Sequence, residues 1–406
     1  MIIQNVWIYK EDKIFCKGSV KVQGERITEV IWEDEENCVS NTMEMTDVSE
    51  MILDGQGAYL IPGMIDIHTH GCIGYDFCDG TREAVQEIAR FQAAMGVTGF
   101  VPATMTLPVE QLEHILQTGA WFRAQKSQGA FGECADLVGI NMEGPFISRE
   151  KKGAQNEAYI TMADGEIFRR FQQAADGLVK YMGVAPETGE ITDFIRQVKK
   201  EAKVTLAHSN ADYETAKKAF EEGACHVTHL YNAMPPFHHR DPGIIGAAAE
   251  NRQVEVELIC DGVHIHPSVI RATFSMFGAD RIVLISDSMR AMGMPDGVYE
   301  LGGQKVVVEG AFARLEDGTI AGSVTSLPQC LRYVVEEAGI PLEDAVACVT
   351  MNPAKSLGIY EKYGSIQEGK QADLVLLDKK LHVQAVIKAG RILVSKDSLL
   401  YNDAEF

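Results

Sequence analysis

Residues 62–71 read PGMIDIHTHG and place two histidines two positions apart at the end of an apolar run. The chain has only 11 histidines among its 406 residues. Alternate side chains of a strand share a face, so we expect His68 and His70 to point the same way and Thr69 to point away. Two imidazoles about 7 Å apart along a strand can bind one cation. The stretch therefore predicts a strand that ends in a metal-binding pair.

Seven further apolar, β-rich runs follow this stretch: GFVPATM, LVGINME, KYMGVAPE, VTLAHS, HVTHLYN, VEVELICDG and IVLISDS. Helical stretches separate most of them, such as TREAVQEIARFQAAMG and DYETAKKAFEEG. Both of these stretches have apolar residues at helical spacing and a glycine where the helix should stop. Eight buried strands that alternate with helices indicate an α/β protein with a (β/α)8 barrel.

The two ends of the chain have a different character. Both contain short alternating strands broken by turns with glycine, such as IIQNVWIY near the start and ADLVLLD near the end. We predict that residues 1–61 and 358–406 together form one small β-sandwich domain. Residues 62–357, inserted between them, form the catalytic barrel.

The charge composition limits the kinds of molecule that the protein can bind. There are 37 basic and 58 acidic residues, and the net charge of −21 repels nucleic acid and acidic membranes. A small anionic substrate remains compatible with this charge if the pocket concentrates positive groups. The sequence has no 18-residue apolar run and no export signal, and its nine cysteines form no CxxC pair. We therefore expect a cytoplasmic protein with free thiols and no nucleic-acid or membrane partner.

Side chains of the metal-ligand type fall at the carboxyl ends of the predicted strands. They are His68 and His70 after the first strand, Glu143 after the third, His208 after the fifth, His229 after the sixth, Asp261 with His264 after the seventh, and Asp287 after the eighth. Catalytic residues of such barrels lie on this rim. Imidazole and carboxylate ligands suit zinc or iron, so we expect one or two divalent metal ions per chain.

Longer motifs resemble a known family. NMEGPF, the block from THLYNAM to HRDPG, CDGVHIHP, SDSMRAMG and AGSVTSL are similar to the N-acetylglucosamine-6-phosphate deacetylases of the amidohydrolase superfamily. The resemblance covers nearly the whole chain and includes GKQADLVLLD near its end. It implies metal-dependent hydrolysis of the acetamide of N-acetyl-D-glucosamine 6-phosphate, in amino-sugar catabolism or cell-wall recycling.

The resemblance also assigns metal ligands. Glu143, His208 and His229 match the ligands found throughout the family, and His68 and His70 match a pair that can hold a second metal. Many amidohydrolases instead use a lysine at the end of the fourth strand. Here that strand, KYMGVAPE, has its only lysine at the start. Glu143 is therefore expected to replace it.

Catalytic and substrate-binding roles follow from the same resemblance. Asp287 matches the catalytic aspartate, and His264 matches a residue that contacts the substrate near the acetamide. The expected substrate contacts are Ala154, Asn232, Ala233, Arg240, Asp261, Gly262, Val263, His264, Ala321, Gly322 and Ser323. The family's arginine commonly comes from the neighbouring subunit, which implies a homodimer with Arg240 donated across the interface. From the residues alone, Arg240 beside Asp241 is equally compatible with a simple salt bridge.

This chemistry suits amide hydrolysis. A metal lowers the pKa of bound water and polarises the carbonyl. Asp287 can take a proton from that water and return it to the departing nitrogen, while His264 stabilises the developing oxyanion.

Two alternatives stay open. Ser288 stands where an alanine is common in the family, which leaves room for a galacto epimer and hence an N-acetylgalactosamine-6-phosphate deacetylase. A non-catalytic amidohydrolase-like scaffold is disfavoured, because such relatives lose metal ligands and all the candidate positions are filled here.

Overall fold

The computed structural model describes residues 1–33 and 51–395. Its strands are β1 Ile2–Tyr9, β2 Phe15–Gln23, β3 Arg26–Trp32, β4 Ile52–Asp54, β5 Tyr59–Pro62, β6 Met64–Thr69, β7 Gly71–Cys72, β8 Tyr75–Asp76, β9 Val97–Thr104, β10 Asp136–Leu137, β11 Ile140–Phe146, β12 Val179–Val184, β13 Lys203–Leu206, β14 His226–Val227, β15 Glu255–Ile259, β16 Ile282–Ile285, β17 Gly297–Leu301, β18 Gln304–Glu309, β19 Phe312–Arg314, β20 Leu374–Leu377, β21 Val383–Lys388 and β22 Arg391–Ser395.

The α-helices are α1 Arg82–Ala94, α2 Val109–Ser127, α3 Gly165–Ala174, α4 Thr192–Val198, α5 Tyr213–Glu222, α6 Gly243–Glu250, α7 Pro267–Phe277, α8 Leu327–Glu336, α9 Leu342–Val349 and α10 Met351–Ser356. Four 3-10 turns lie at Phe77–Asp79, Glu157–Tyr159, Pro186–Thr188 and Ala279–Arg281.

Eight parallel strands form a nearly closed barrel, as the sequence predicts. In space they run β6, β9, β11, β12, β13, β14, β15 and β16, with the short β10 added beside β9. The backbone N–H of Asp287 donates to the carbonyl of His68 at 2.9 Å. This bond joins the end of the last strand to the first, so residues far apart in sequence meet at one rim.

The helices between the barrel strands begin and end at the residues that favour such ends. The Thr81 hydroxyl accepts a bond from the Ala84 N–H at the start of α1, and Asp212 caps Thr215 at the start of α5. Gly223, with φ of 123°, follows α5 directly. The two helical stretches predicted from sequence are thereby confirmed, within two residues at each end.

Strands from both ends of the chain pair in one sheet, as expected. Its order is β22, β21, β20, β5, β1, β2 and β3, with β4 also paired to β1. Most neighbours are antiparallel, but β1 pairs with β4 and β5 in parallel. The sheet is therefore mainly antiparallel, with two parallel pairs. The reason is that β5 passes directly into barrel strand β6 and must run in the direction that enters the barrel.

Each of these two units has its own buried core. Alternating residues of the terminal sheet cluster together, namely Ile3, Val6, Ile8, Val20, Val22, Ile27, Leu60, Leu374, Leu376, Ala385 and Ile387. A second cluster joins side chains of β6, β9, β15 and β16 with Tyr181 of β12, which is not a neighbour of those strands in the sheet, namely Ile65, Ile67, Val101, Tyr181, Ile259, Val283 and Ile285. Such contacts across the ring are expected of a filled barrel interior. Residues 34–50 and 396–406, also assigned to the terminal domain, lie outside the described residues.

A three-stranded antiparallel sheet, β17–β19, follows the last barrel strand and was not anticipated. Gln304 at the start of β18 donates its side-chain N–H to the carbonyl of Ala154. This bond ties the insertion to the loop after β11 at the barrel rim. The insertion thus helps to build the site described below.

No helix in residues 1–33 and 51–395 combines the length and apolarity that crossing a membrane requires. Eight cysteines fall within these ranges and all of them carry free thiols. The ninth, Cys38, lies outside the described residues.

Candidate metal-binding active site

Three of the predicted ligands have an uncommon backbone conformation. The φ angles of His208, His229 and Asp287 are 46°, 30° and 47°. Non-glycine residues at positive φ are strained and collect at functional sites, where the surrounding structure holds them. Each of them lies two residues after the end of a barrel strand. The positive φ bends the backbone there and turns the side chain into the mouth of the barrel.

Glu143, His208 and His229 form one cluster. The Nε2 atoms of His208 and His229 lie 2.9 Å and 2.8 Å from Oε1 of Glu143. The two Nε2 atoms are 3.2 Å apart. All three side chains are buried, and their ligand atoms lie within 4.8 Å of one another. Three such ligands leave open positions, as catalytic metal sites require.

His68, His70 and Asp287 form a second cluster of the same kind. Oδ1 of Asp287 lies 3.2 Å from Nε2 of His70 and 3.6 Å from Nε2 of His68. Thr69 points away and its hydroxyl bonds that of Ser288 at 2.9 Å. The strand therefore orients the histidine pair as the alternation of side chains predicts.

Glu143 lies between the two clusters. Its Oε1 contacts His208 and His229, while its Oε2 lies 3.2 Å from Nε2 of His70. The side-chain N–H of Gln155 donates to Oε2 at 3.0 Å and holds the carboxylate in this orientation. One oxygen is thus available to each cluster.

Attraction between the opposite charges of these groups offsets the free-energy cost of burying them. Burial lowers the pKa of His70, but the carboxylates of Asp287 and Glu143, each 3.2 Å from its Nε2, outweigh burial and raise that pKa to about 10. Burial raises the pKa of Glu143, but its histidine neighbours, His68 first, hold it well below its ordinary value. The site therefore attracts positive charge, and protons compete with a metal for the same nitrogens.

The donor set fits one or two divalent cations. Nε2 of His68 and Oδ1 of Asp287 are buried and have no hydrogen-bond partner among the described residues. Unsatisfied buried polar atoms are costly, and these two lie within one cluster of ligand-type groups. Imidazole and carboxylate are the ligands that zinc and iron accept.

Asp261 and His264 form a pair beside the clusters. Oδ2 of Asp261 lies 2.7 Å from Nδ1 of His264, and Oδ1 accepts bonds from the backbone N–H groups of Val263 and His264. Because a carboxylate only accepts, Nδ1 of His264 carries a proton and Nε2 is the ring atom left for other contacts. Asp261 thereby fixes the orientation of His264.

A cavity of about 290 Å³ opens onto both clusters. Its walls contain Ala154, Asn232, Ala233, His264 and Gly322 from the predicted substrate contacts, together with most of the candidate ligands. Asp261, Gly262, Val263, Ala321 and Ser323 are adjacent in sequence but do not form its walls. A larger cavity of about 640 Å³ borders Asp261 and the β17–β19 insertion, but no residue of either cluster lines it. The smaller cavity is therefore the candidate active site.

Arg240 lies outside the cavity wall. It is exposed, and its guanidinium contacts Nε2 of His239 at 2.7 Å within a loop closed by the bridge between His238 and Asp241. No arginine or lysine lines the cavity among the described residues. An anionic group bound there by this chain alone would find no guanidinium or ammonium group.

Sequence reasoning missed several residues of the cavity wall, namely Met105, Gly153, Gln155, Leu301, Thr319 and Ile320. Gln155 directly follows Ala154, so its position in the chain could have identified it. Leu301, Thr319 and Ile320 belong to the insertion or its exit, and nothing in their local sequence indicated proximity to the metal ligands.

Comparisons with known proteins agree with this architecture. The model of the amidohydrolase family matches residues 59–393. The N-acetylglucosamine-6-phosphate deacetylase of Bacillus subtilis (strain 168) is 36% identical over 400 residues, which cover 98% of both chains. An N-acetylgalactosamine-6-phosphate deacetylase of Escherichia coli O157:H7 is 34% identical over 342 residues, covering 82% of this chain and 87% of that protein.

Solved structures give the same result. A mutant N-acetyl-D-glucosamine-6-phosphate deacetylase from Mycobacterium smegmatis, in complex with N-acetyl-D-glucosamine-6-phosphate, superposes with a TM-score of 0.86 at 30% identity. The match covers 97% of this chain and 99% of that one. The Thermotoga maritima N-acetylglucosamine-6-phosphate deacetylase gives a TM-score of 0.85 at 30% identity, over 97% and 100% of the two chains. The chain therefore belongs to the amidohydrolase family, and within it to the group that contains the N-acetylglucosamine-6-phosphate deacetylases.

Proposed function

We propose that the chain hydrolyses the acetamide of N-acetyl-D-glucosamine 6-phosphate and releases D-glucosamine 6-phosphate and acetate. The observation that carries this proposal is the convergence of two ligand clusters on Glu143 beneath one cavity. Relatives of at least 34% identity with this activity in their names support the substrate. The predicted cytoplasmic location remains a prediction.

Five residues hold the metal in this proposal: Glu143, His208 and His229 at one position, and His68 and His70 at the other. When bound, a divalent metal such as zinc or iron lowers the pKa of water and polarises the acetamide carbonyl. Glu143 orients both sets of imidazoles because each of its oxygens faces one cluster.

Asp287 moves the proton. Burial raises its pKa, but the contacts with His70 and His68 outweigh burial and hold the pKa below its ordinary value. Asp287 is therefore a carboxylate at neutral pH and can accept a proton from the attacking water at Oδ1. It then donates that proton to the amide nitrogen, which allows the amine to leave. Asp261 fixes the ring of His264 through Nδ1, and His264 donates to the developing oxyanion from Nε2 in the imidazolium form, in which both ring nitrogens carry a proton.

The substrate's phosphate needs a guanidinium or ammonium group, which the cavity wall does not provide. Arg240 supplies it from a second copy of the chain, which makes the active form a homodimer. Arginine suits the task because its planar guanidinium can bind two phosphate oxygens at once. Exposure of Arg240 and its position outside the cavity of its own chain support this arrangement.

Replacing Arg240 with alanine should lower kcat/KM for the 6-phosphate substrate by roughly 1.5–3 kcal/mol, about 10- to 150-fold, as for a hydrogen bond to a charged group. The rate on N-acetylglucosamine without phosphate should change little. Acetate release from both substrates measures this. Arg252→Ala, at an exposed arginine before β15, is the control and should match the parent. Equal losses on both substrates would mean that Arg240 supports its loop and does not contact phosphate.

Metal content tests the histidine pair. Protein purified with metal supplied should contain more than one ion per chain, because His68 and His70 add ligands to the site that Glu143 organises. The double variant His68→Ala, His70→Ala should retain at most one ion per chain, measured by elemental analysis. His114→Ala, at an exposed histidine, should keep the parent ratio. A ratio of one in both the parent and the double variant would show that the pair is structural.

A galacto substrate is the second candidate, since a relative of 34% identity carries that name. The structure turns Ser288 away from the cavity, because its hydroxyl bonds Thr69 at 2.9 Å and donates to the Gly71 carbonyl at 3.0 Å. Any effect of Ser288 on the epimer would therefore act through the loop after β6. The ratio of kcat/KM for the two epimers, measured in the parent, decides between these substrates, and we expect it to favour the gluco form.

A further inference from the structure

Glu257 is a charged residue inside the barrel that the proposed chemistry does not use. It lies on β15, and its side chain is fully buried. Its carboxylate faces three nitrogens: Nδ1 of His68 at 3.0 Å, the backbone N of His229 at 3.1 Å, and Nε2 of His226 at 3.1 Å. A buried carboxylate requires such donors, because it only accepts hydrogen bonds.

The contact with His68 determines which ring nitrogen can bind a metal. Because Nδ1 donates its proton to Oε2 of Glu257, Nε2 is left with a lone pair. That Nε2 lies 3.7 Å from Oε2 of Glu143 and 3.6 Å from Oδ1 of Asp287, and it has no hydrogen-bond partner in the part of the chain that the structure describes. Carboxylates that accept from a ligand imidazole fix its tautomer and raise its basicity.

The contact with His229 is made through the backbone. Strand β14 ends at Val227, and His229 follows it at a φ of 30°. Its N–H donates to Oε2 of Glu257, and the next N–H, of Leu230, donates to the backbone carbonyl of Glu257 at 2.9 Å. Side chain and backbone of one residue thus hold the bend that aims the His229 ring at Glu143.

We propose that Glu257 is a positioning residue that holds one ligand of each cluster, the ring of His68 and the backbone of His229, and thereby links the two metal positions. The inference rests on the proposed function, because it assumes that these clusters bind metal. Its consequence is that a change at Glu257, which is outside both clusters, weakens metal binding at both.

Glu255 provides a matched control on the same strand. Its Oε2 lies 3.4 Å from Nδ1 of His226 and 2.6 Å from Nζ of Lys203. It therefore contacts the same histidine as Glu257, from the other side. As far as the described residues show, its carboxylate contacts Lys203, His226 and Ser356 and none of the candidate metal ligands.

The test compares Glu257→Gln with Glu255→Gln after removal of metal by a chelator. Each protein is titrated with Zn²⁺ against a competing chromophoric chelator. A glutamine cannot accept from all three N–H groups, since one of its two polar atoms is an NH₂ donor. We expect Glu257→Gln to bind zinc roughly 10- to 100-fold more weakly, the range for outer partners of metal ligands. Glu255→Gln should remain close to the parent. Parent-like zinc affinity in a folded Glu257→Gln protein would overturn the inference.

A second measurement on the unaltered zinc-loaded protein covers the case in which Glu257→Gln does not fold. Nitrogen-15 NMR of histidine-labelled protein, with the His68 signal assigned by its loss in His68→Gln, reports which ring nitrogen carries the proton. We expect the proton on Nδ1. A proton on Nε2 would overturn the inference while leaving the proposed function intact. A parent that binds no zinc in the titration would instead contradict the proposed function.

Discussion

Glu143→Gln should remove metal from both positions and reduce deacetylation by about a thousandfold or more. Within residues 1–33 and 51–395, Glu143 alone contacts His208 and His229 through one oxygen and His70 through the other. A glutamine of the same shape replaces one of these oxygens with an NH₂ group that cannot bind a cation. Loss of the metal forfeits several kcal/mol of transition-state stabilisation, and each 1.36 kcal/mol is tenfold in rate. Elemental analysis and acetate release measure both effects.

Glu157→Gln is the control for this variant. Glu157 begins the 3-10 turn of the loop that also carries Gln155, but its carboxylate is exposed and lies 3.8 Å from Lys152. It should keep parent metal content and parent activity within about twofold, as expected of a surface substitution. Full metal content in Glu143→Gln would contradict the role assigned to Glu143, whatever its activity.

Asp287→Asn should lower kcat by roughly 10² to 10⁴, the usual contribution of general acid–base catalysis. The amide keeps the side chain's shape but can neither take a proton from water nor deliver one to the leaving nitrogen. The ascending limb of the pH–rate profile, which reports the carboxylate in the parent, should disappear with it. Steady-state kinetics across pH, with metal content determined on the same samples, separate a lost proton carrier from a lost ligand.

The exposed Asp280 provides the comparison, since it forms a salt bridge with Lys13 on the surface. Asp280→Asn should have the pH profile of the parent. If Asp287→Asn retained activity within a few-fold of the parent at full metal content, another group would carry the proton.

The barrel could be predicted because its strands are local features. Each of the eight apolar runs is buried on both faces, so hydrophobicity alone marks it, and parallel order forces their carboxyl ends to one rim. The side chains at those ends, from His68 to Asp287, could therefore be grouped before any distance was known. The clusters Glu143–His208–His229 and His68–His70–Asp287 follow from that topology.

Other features depend on contacts that no local pattern encodes. The insertion β17–β19 has ordinary alternating strands, and only the bond from Gln304 to Ala154 brings it to the rim. Gln155 lies in the loop after β11, and its side-chain N–H orients the carboxylate of Glu143. Glu257 did carry a signal, because a charged residue in the buried run VEVELICDG requires buried partners. Its partners His68, His226 and His229 lie on or after other strands, so no local sequence pattern identifies them.

The terminal domain also combines features that the sequence predicts with features that it does not. Its alternating strands at both ends of the chain were evident, and they do pair in one sheet. The parallel pairing of β1 with β4 and β5 was not evident, because strand direction depends on where the chain must next go. The domain limits at residues 61 and 358 stay predictions.

Acetate release after metal removal and reloading tests most directly whether this chain hydrolyses an N-acetylhexosamine 6-phosphate and needs a metal to do so. The protein is stripped with a chelator, and acetate is measured with and without added Zn²⁺ on N-acetylglucosamine 6-phosphate and on N-acetylglucosamine. We expect rapid release only when metal and phosphate are both present, slow release from N-acetylglucosamine with metal, and background rates in the two mixtures without metal. Equal release from both sugars, or full activity without metal, would contradict this expectation.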